Sequence, residues 1–443
     1  MKKILSLCTL YFVICISSTA FATFTDTQYS WYRDAITSLE KEGIVSGTSP
    51  GVFSPDLPVT RAEILKMLLK TADVKLPDAP TEKCFPDVAV DAWYHSFICW
   101  AHTLGIANGF ESGKFGPNDT VTVLEALAFG IRAFGFENEL KMDIDKPWYI
   151  PFQDFADTNK ILQKHGYTLA TKISRAKTAE LIVRLGDYKI KNSNLNYKSN
   201  GCAVNGNLGT KNIIKINDKD REYNLAVPSN YSRDKEYGLI IWVHGRTNSK
   251  DQVQAYMGLQ GRSQDDFIVA YPAALRSGSS FSWSEKDNLT FFDAMTLEIA
   301  DNYCINRDNL FIVGHSLGGW FTQKLACLRW DHIKGMVAVG SGGYSGDCTG
   351  PVTSLFFQNI NDQLSSYASG ESAKKIRLAV NQCSDKTESV NIGSLSCAKY
   401  TDCSPGNSVT WCEGYSTYGN DPHSWPLSGG TDIVSFLRWI FWR

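Results

Sequence analysis

The chain has 443 residues, too many for one ordinary domain and enough for two hydrophobic cores. Its 44 basic and 46 acidic residues leave a formal net charge of −2, and nothing in that balance points to a nucleic-acid binder, which normally carries a basic patch or stripe. Aromatic residues reach 12%, with 12 Trp, a content that core packing or a site for sugars or phenols can absorb.

Residues 1–22 read as an export signal. Lys2 and Lys3 form a charged start, 4–16 is a mostly apolar run, and Ala20-Phe21-Ala22 supplies small residues for cleavage after Ala22. The run is too short for a membrane span, and no later segment is long and apolar enough for one. Cys8 and Cys15 do not mark a lipoprotein, because Leu7 and Ile14 precede them where a small residue belongs.

Ten cysteines remain beyond the signal: Cys84, Cys99, Cys202, Cys304, Cys327, Cys348, Cys383, Cys397, Cys403 and Cys412. An even number in an exported chain predicts disulfides. Cys84 and Cys99 stand alone in the first half and are expected to pair. Pairing among the others stays open, with Cys403–Cys412 across a predicted turn as the first guess. No HExxH, CxxC or other metal-site spacing occurs, so no metal is expected.

The first half repeats itself. Asp26, Trp31-Tyr32, Gly43-Ile44, Gly47, Phe53-x-Pro55 and Thr60 superimpose on Asp87, Trp93-Tyr94, Gly105-Ile106, Gly109, Phe115-x-Pro117 and Thr122, with 29 residues from Trp to Thr in both. A looser third copy runs from Trp148-Tyr149 to Ser174. Each unit predicts a helix, a Gly-rich turn and a second helix capped by Thr or Ser. One unit cannot bury its apolar face alone, so three are expected to pack together, over about 23–75, 83–137 and 142–188.

These units resemble S-layer homology (SLH) repeats. The resemblance implies an all-α three-repeat module that holds an exported protein on the cell envelope by binding secondary cell-wall polysaccharide. In that family the second helix opens with Thr-Arg-Ala-Glu, whose Arg contributes to the glycan groove. The copies here read Thr60-Arg61-Ala62-Glu63, Thr122-Val123-Leu124-Glu125 and Ser174-Arg175-Ala176-Lys177. Arg61, Arg175 and Trp31 are the residues the resemblance offers for wall glycan.

Residues 189–200 are polar and rich in Asn, Ser and Lys, a predicted linker. Beyond it, from 201 to 443, apolar runs such as "YGLIIWV", "DFIVAYP", "NLFIV", "GMVAV" and "TSLFF" alternate with helical segments such as "FFDAMTLEIADNYC" and "GWFTQKLACL". That alternation predicts a mostly parallel sheet covered by helices on both faces.

Gly314-His315-Ser316-Leu317-Gly318 falls between the strand "LFIV" and the helix "GGWFTQKLACL". Such a strand–turn–helix elbow needs small residues two before and two after the serine, and it projects the hydroxyl above the sheet. Ser316 is therefore the candidate nucleophile. Of seven histidines, His95, His102 and His165 lie in the repeats, His244 in an earlier loop, and His315 beside the serine on a turn pointing elsewhere. His332 reads as a cap after the elbow helix, which leaves His423 as the base. Asp362, following the strand "TSLFF", is the candidate orienting acid, with Asp347 and Asp421 as fallbacks. An oxyanion hole needs two backbone N–H groups. Leu317 offers one, and Arg246 or Thr247, after Gly245, the other.

This half resembles secreted polyhydroxybutyrate depolymerase-like and feruloyl esterase-like enzymes of the α/β-hydrolase fold, through "HGRTNS", "CINRDNLFIVGHSLGGWFTQKLAC", the late cysteines and "HSWP". The resemblance implies carboxylic ester hydrolysis through an acyl-Ser316 intermediate, with feruloyl or acetyl esters of plant polysaccharide as first substrate class and aliphatic polyesters as second. A non-catalytic surface binding protein is the alternative from another class. Trp283, Trp425 and His244 are expected to border the substrate.

Overall fold

A computed structural model describes residues 24–72, 74–76, 78, 80–143, 145–162, 169–191, 199–202, 204, 206–257, 259–263, 265–284, 286–426 and 429–441. The predicted export signal, most of the predicted linker and His165 lie outside the described residues.

Among the described residues, three helical pairs build the first half: α1 (Arg33–Lys41) with α2 (Arg61–Thr71), α3 (His95–Thr103) with α4 (Val123–Ala133), and α5 (Ile150–Thr158) with α6 (Arg175–Lys191). The repeated landmarks each have a local reason. Asp26 and Asp87 accept the backbone N–H groups of Phe53 and Ser54 and of Phe115 and Gly116, tying the start of each copy to its turn. Gly43 and Gly105 take φ of +67° and +69°, where a side chain would be strained. Thr60 and Thr122 close capping boxes with Glu63 and Glu125.

The copies interlock through a ring of backbone bonds just ahead of the three caps. Val59 N–H donates to Ile173 O at 3.1 Å, Val121 N–H to Val59 O at 3.1 Å, and Ile173 N–H to Val121 O at 2.9 Å. The looser third copy thus closes a pseudo-threefold arrangement. One buried core, from Phe24 to Tyr188, runs through all three pairs, as apolar faces that cannot be covered singly require.

In the second half the strands are β1 (Lys211–Ile216), β2 (Lys219–Ala226), β3 (Tyr237–Val243), β4 (Phe267–Pro272), β5 (Leu275–Ser277), β6 (Ser280–Ser282), β7 (Ile305–His315), β8 (Ile333–Val339), β9 (Thr353–Phe357), β10 (Thr387–Ile392), β11 (Leu395–Tyr400) and β12 (Val409–Cys412). Ten of them form one sheet in the order β1-β2-β4-β3-β7-β8-β9-β12-β11-β10, and β5 and β6 make a separate hairpin. The six from β4 to β12 run parallel, and antiparallel strands finish both edges. Leu239, Ile241 and Val243 face one core with α9 (Asp287–Asn302), α10 (Leu317–Leu328) and α11 (Tyr367–Val380). Ile240 and Trp242 face the other with α7 (Lys250–Met257), α8 (Leu259–Ser263) and α12 (Gly429–Phe441). This is an α/β-hydrolase sheet behind an N-terminal SLH module. The outlying strands β1, β10 and β11 carry Lys, Asn, Ser and Glu on exposed faces, so no apolar run announces them.

Cys84 pairs with Cys99, as expected. The guess of Cys403 with Cys412 is corrected: Cys403 pairs with Cys383 and Cys412 with Cys397. The reason is strand register. Ala398 lies opposite Trp411 in the β11–β12 ladder, which brings Cys397 and Cys412 together one step along. Cys202–Cys304 and Cys327–Cys348 complete the set.

The two halves touch where α9 and α10 end and β7 begins. Arg33 donates to both oxygens of Asp301 at 3.0 and 2.7 Å, and Tyr32 Oη donates to Asp331 at 2.9 Å. No helix among the described residues is long and apolar enough to cross a membrane.

Candidate active site

β7 runs straight into the elbow. Ser316 takes φ 54° and ψ −128°, a conformation costly for any residue with a Cβ, and it persists because the flanking strand and helix overdetermine it. A Cβ on Gly314 would sit 2.4 Å from Gly318 O, and one on Gly318 would sit 2.2 Å from Val243 O. Both glycines are therefore required by close backbone approach, the physical content of the motif. Ser316 N–H donates to Val339 O at 2.9 Å, pinning the elbow to the next strand.

The hydroxyl of Ser316 lies 2.9 Å from His423 Nε2, and His423 Nδ1 lies 2.7 Å from Asp362 Oδ2. Asp362 stands just beyond the end of β9, with its side chain fully buried. Its other oxygen accepts the backbone N–H groups of Leu364 and Ser365, each at 2.9 Å. The carboxylate is thus held by its own loop as well as by His423. Gln358 Nε2 ties that loop across to Ser365 O at 2.7 Å, and Asn359 Oδ1 accepts from Asn361 N–H at 3.0 Å. The "QNIND" sequence holds the turn through its amides. Gly340, at φ +52°, lies under the Asp–His pair, where a Cβ would come 3.2 Å from Asp362 Oδ2 and 3.3 Å from His423 Nδ1.

Two histidines set aside in the sequence belong to this machinery. His315 does not point away: its Nε2–H donates to the backbone carbonyl of His423 at 2.6 Å. Burial lowers its pKa to about 4, so the ring is neutral near neutral pH. His244 Nε2 accepts Ala274 N–H at 3.0 Å, which leaves Nδ1–H to donate to Gly245 O at 2.7 Å. Its pKa is likewise lowered to about 4 by burial. Because a trans peptide points its N–H opposite its C=O, anchoring the Gly245 carbonyl fixes the direction of the Arg246 N–H. The Arg246 carbonyl is held in turn by Phe281 N–H at 2.9 Å. Gly245 approaches the serine closely enough that a Cβ there would lie 3.3 Å from Ser316 Cβ.

Ser316, Asp362 and His423 are brought together, Leu317 follows the serine directly, and Gly245, just ahead of Arg246 and Thr247, comes close to it. Asp421, a fallback acid, accepts His423 N–H at 3.0 Å instead, while Asp347 is exposed. Three expected substrate contacts are corrected. His244 is buried in the loop's scaffold, and Trp283, stacked on Phe321 at 4.9 Å, donates to His244 O at 2.9 Å. Trp425 is buried between Trp242 and His315. Each is consumed by packing under the site. In the repeat module, Trp31 is also corrected: the hydrolase half buries it under Arg307, 4.6 Å from the ring. His332, expected as a cap, packs at a tilt against Trp31 and Tyr32 at that same contact. Arg61 and Arg175 are buried cations paired with Glu125 and Glu63.

Known proteins match both halves. The S-layer homology domain family matches residues 23–65 and 85–126. "Probable feruloyl esterase C" of Aspergillus flavus is 31% identical over 196 residues, covering 42% of this chain and 70% of that protein. This chain belongs to the feruloyl esterase C family. Feruloyl esterase C of Emericella nidulans is 29% identical over 194 residues, with the same 42% and 70% coverage. A "Cell surface protein" of Thermoanaerobacter kivui is 32% identical over 142 residues, 31% of this chain and 18% of that protein. As a member of the feruloyl esterase family, the chain is a carboxylic ester hydrolase.

Proposed function

We propose that the chain is an exported serine esterase, attached to the cell envelope through its SLH module, that releases feruloyl or acetyl groups from plant polysaccharide. The observation that carries the reading is the continuous hydrogen-bonded chain Ser316–His423–Asp362 in a member of the feruloyl esterase family. Domain limits are read as 23–188 for the module, 189–200 for the linker and 201–443 for the esterase.

In this reading Ser316 Oγ attacks the ester carbonyl while His423 Nε2 takes its proton, and the carbonyl oxygen becomes an oxyanion. Leu317 N–H, at the start of α10, and Arg246 or Thr247 N–H stabilise that charge. Collapse breaks the C–O bond, and His423 delivers the proton to the departing alcohol, leaving acyl-Ser316. Water then repeats the sequence: His423 accepts its proton, the oxygen bonds to the acyl carbon, and Ser316 leaves with the proton returned. Asp362 holds the imidazole tautomer and offsets its positive charge. No step calls for a cofactor.

The test is release of ferulate from methyl ferulate by the full chain beside Ser316→Ala. Release abolished in the variant is expected. Absence of release by both would sink the aromatic-ester assignment, and short aliphatic esters would then separate a different acyl preference from an inactive site.

A further inference from the structure

The equivalent tryptophans of the three repeats meet different fates. Trp93 and Trp148 are each 55% exposed, while Trp31 is 5% exposed. Rotation about the pseudo-threefold axis shows why this matters.

In the first groove, a cleft of about 220 Å³, Ser46, Glu63 and Lys66 of the first copy meet Trp93 of the second and Arg175 of the third. Arg175 lies over the Phe53 ring, donates to Phe53 O at 2.9 Å and Ser46 O at 2.8 Å, and pairs with Glu63 at 3.1 Å. One step around, Arg61 lies over Phe115, donates to Phe115 O at 3.0 Å and Asn108 O at 2.7 Å, and pairs with Glu125 at 3.4 Å. The next step calls for an Arg at 123 and a Glu at 177. The chain has Val123 and Lys177. Two departures that look unrelated in the sequence, one in the second copy and one in the third, therefore fall in a single groove. A Glu there would have faced no cation from Val123.

The esterase half reaches into that groove, beside a cleft of about 530 Å³ lined by Trp31, Lys177, Asp331 and His332. Lys177 pairs with Asp331 at 3.0 Å and lies 4.6 Å over the Trp330 ring. Asp331 also accepts from Tyr32 Oη, and Arg307 and His332 cover Trp31, the residue that by symmetry belongs to this groove. Burial alone would raise the Asp331 carboxyl, yet His332, Lys177 and Tyr32 outweigh it and hold it below the usual range. Arg184, outside the Arg–Glu pattern, adds a bond to Asp308 at 3.3 Å.

We propose that the third groove of the SLH module, carrying Lys177 and Trp31 in place of an Arg–Glu pair and an open tryptophan, is the socket for the esterase domain, so that two grooves remain for wall glycan. The second clause rests on the wall-attachment reading above. The socket grips the sheet where β7 and β8 begin, whereas Ser316 follows the far end of β7. An 11-residue strand spans roughly 35 Å, so the active site faces away from the module.

The experiment uses the full chain. Small-angle scattering compares wild type, Arg33→Glu/Lys177→Glu, and Lys83→Glu as a charge-reversal control on an exposed segment. The expected result is a compact wild type and control, with a radius of gyration larger by roughly a tenth or more in the double variant. All three should hydrolyse p-nitrophenyl acetate at the same rate, which certifies folding of the esterase. Unchanged scattering in the folded double variant overturns the socket. In a second arm, sedimentation with purified cell-wall sacculi retaining their polysaccharide compares wild type with Trp93→Ala/Trp148→Ala. Pelleting should weaken ~10-fold or more, because both exposed aromatic platforms are gone. Pelleting retained by that variant would mean the third groove still binds glycan and overturns the proposal. If wild type itself does not pellet, the wall-attachment reading fails, while the scattering still decides the socket.

Discussion

His315 Nε2–H donates to the backbone carbonyl of His423 at 2.6 Å, so the residue before the nucleophile holds the segment that carries the base. The elbow and the "DPHSWP" loop are thereby one unit, although 107 residues separate Ser316 from His423. His315→Phe should lower kcat ~10-fold with KM nearly unchanged, because the imidazole loses its fixed position relative to the hydroxyl. His315→Gln, which keeps an N–H donor, should recover part of the loss. Equal losses in both variants would argue that only ring packing matters there.

Asp362→Asn should cost on the order of 10³–10⁴-fold in kcat, since an amide cannot fix the tautomer that leaves Nε2 free to accept the serine proton. Its loop bonds to Leu364 and Ser365 can survive in the amide, so thermal stability should change far less than activity. Asp421→Asn, by contrast, should leave most of the rate. The reverse order of effects, measured on p-nitrophenyl acetate, would reassign the acid.

Gly340→Ala places a methyl group 3.2 Å from Asp362 Oδ2 and 3.3 Å from His423 Nδ1, at a φ of +52°. The left-handed conformation costs about 1–2 kcal/mol with a Cβ present, and the pair must also yield by a few tenths of an ångström. Denaturant titration should register that loss, and kcat should fall about 10-fold. A variant of unchanged stability and rate would show that the floor of the site has room to spare.

Acidification should destabilise the fold through His244 and His315, whose pKa values burial lowers to about 4. In the unfolded chain both titrate near 6.5, so across the window between those values only the unfolded state takes up the protons. Stability is therefore full above about pH 6.5 and declines toward pH 4, by up to about 1.4 kcal/mol per pH unit for each histidine. Chemical denaturation midpoints compared at about pH 7 and about pH 5 check this. A midpoint that rises on acidification would contradict it.

Peptide mapping of the oxidised protein should recover Cys397 joined to Cys412 and Cys383 joined to Cys403. Removing the Cys397–Cys412 link by Ser at both positions should cost about 2–4 kcal/mol. A mapped Cys403–Cys412 peptide would instead mean that β11 and β12 pair in another register.

Much of the candidate site was legible because its demands are local or ordinal. Gly314 and Gly318 are needed by backbone contacts within a few residues, and the order Ser, Asp, His follows from which strand ends reach the elbow. Asp362 could be found because it follows an apolar strand. His315 could not, since nothing in "GHSLG" tells which way its ring turns or that a carbonyl more than a hundred residues on awaits it. The same holds for Trp283 and Trp425. An aromatic near a site in sequence reads as a contact, and only packing puts it beneath the floor.

The sequence by itself determined the two-part architecture, the repeat, the elbow and its candidate partners, because periodicity, capping and tight turns are physics of neighbouring residues. Tertiary structure alone decided which cysteines meet, where Trp31 and His332 go, and why Val123 and Lys177 depart together. Strand register and the rotation of one repeat onto the next set those contacts. Both are relations between segments far apart in the chain, and such relations exist only once the cores have closed.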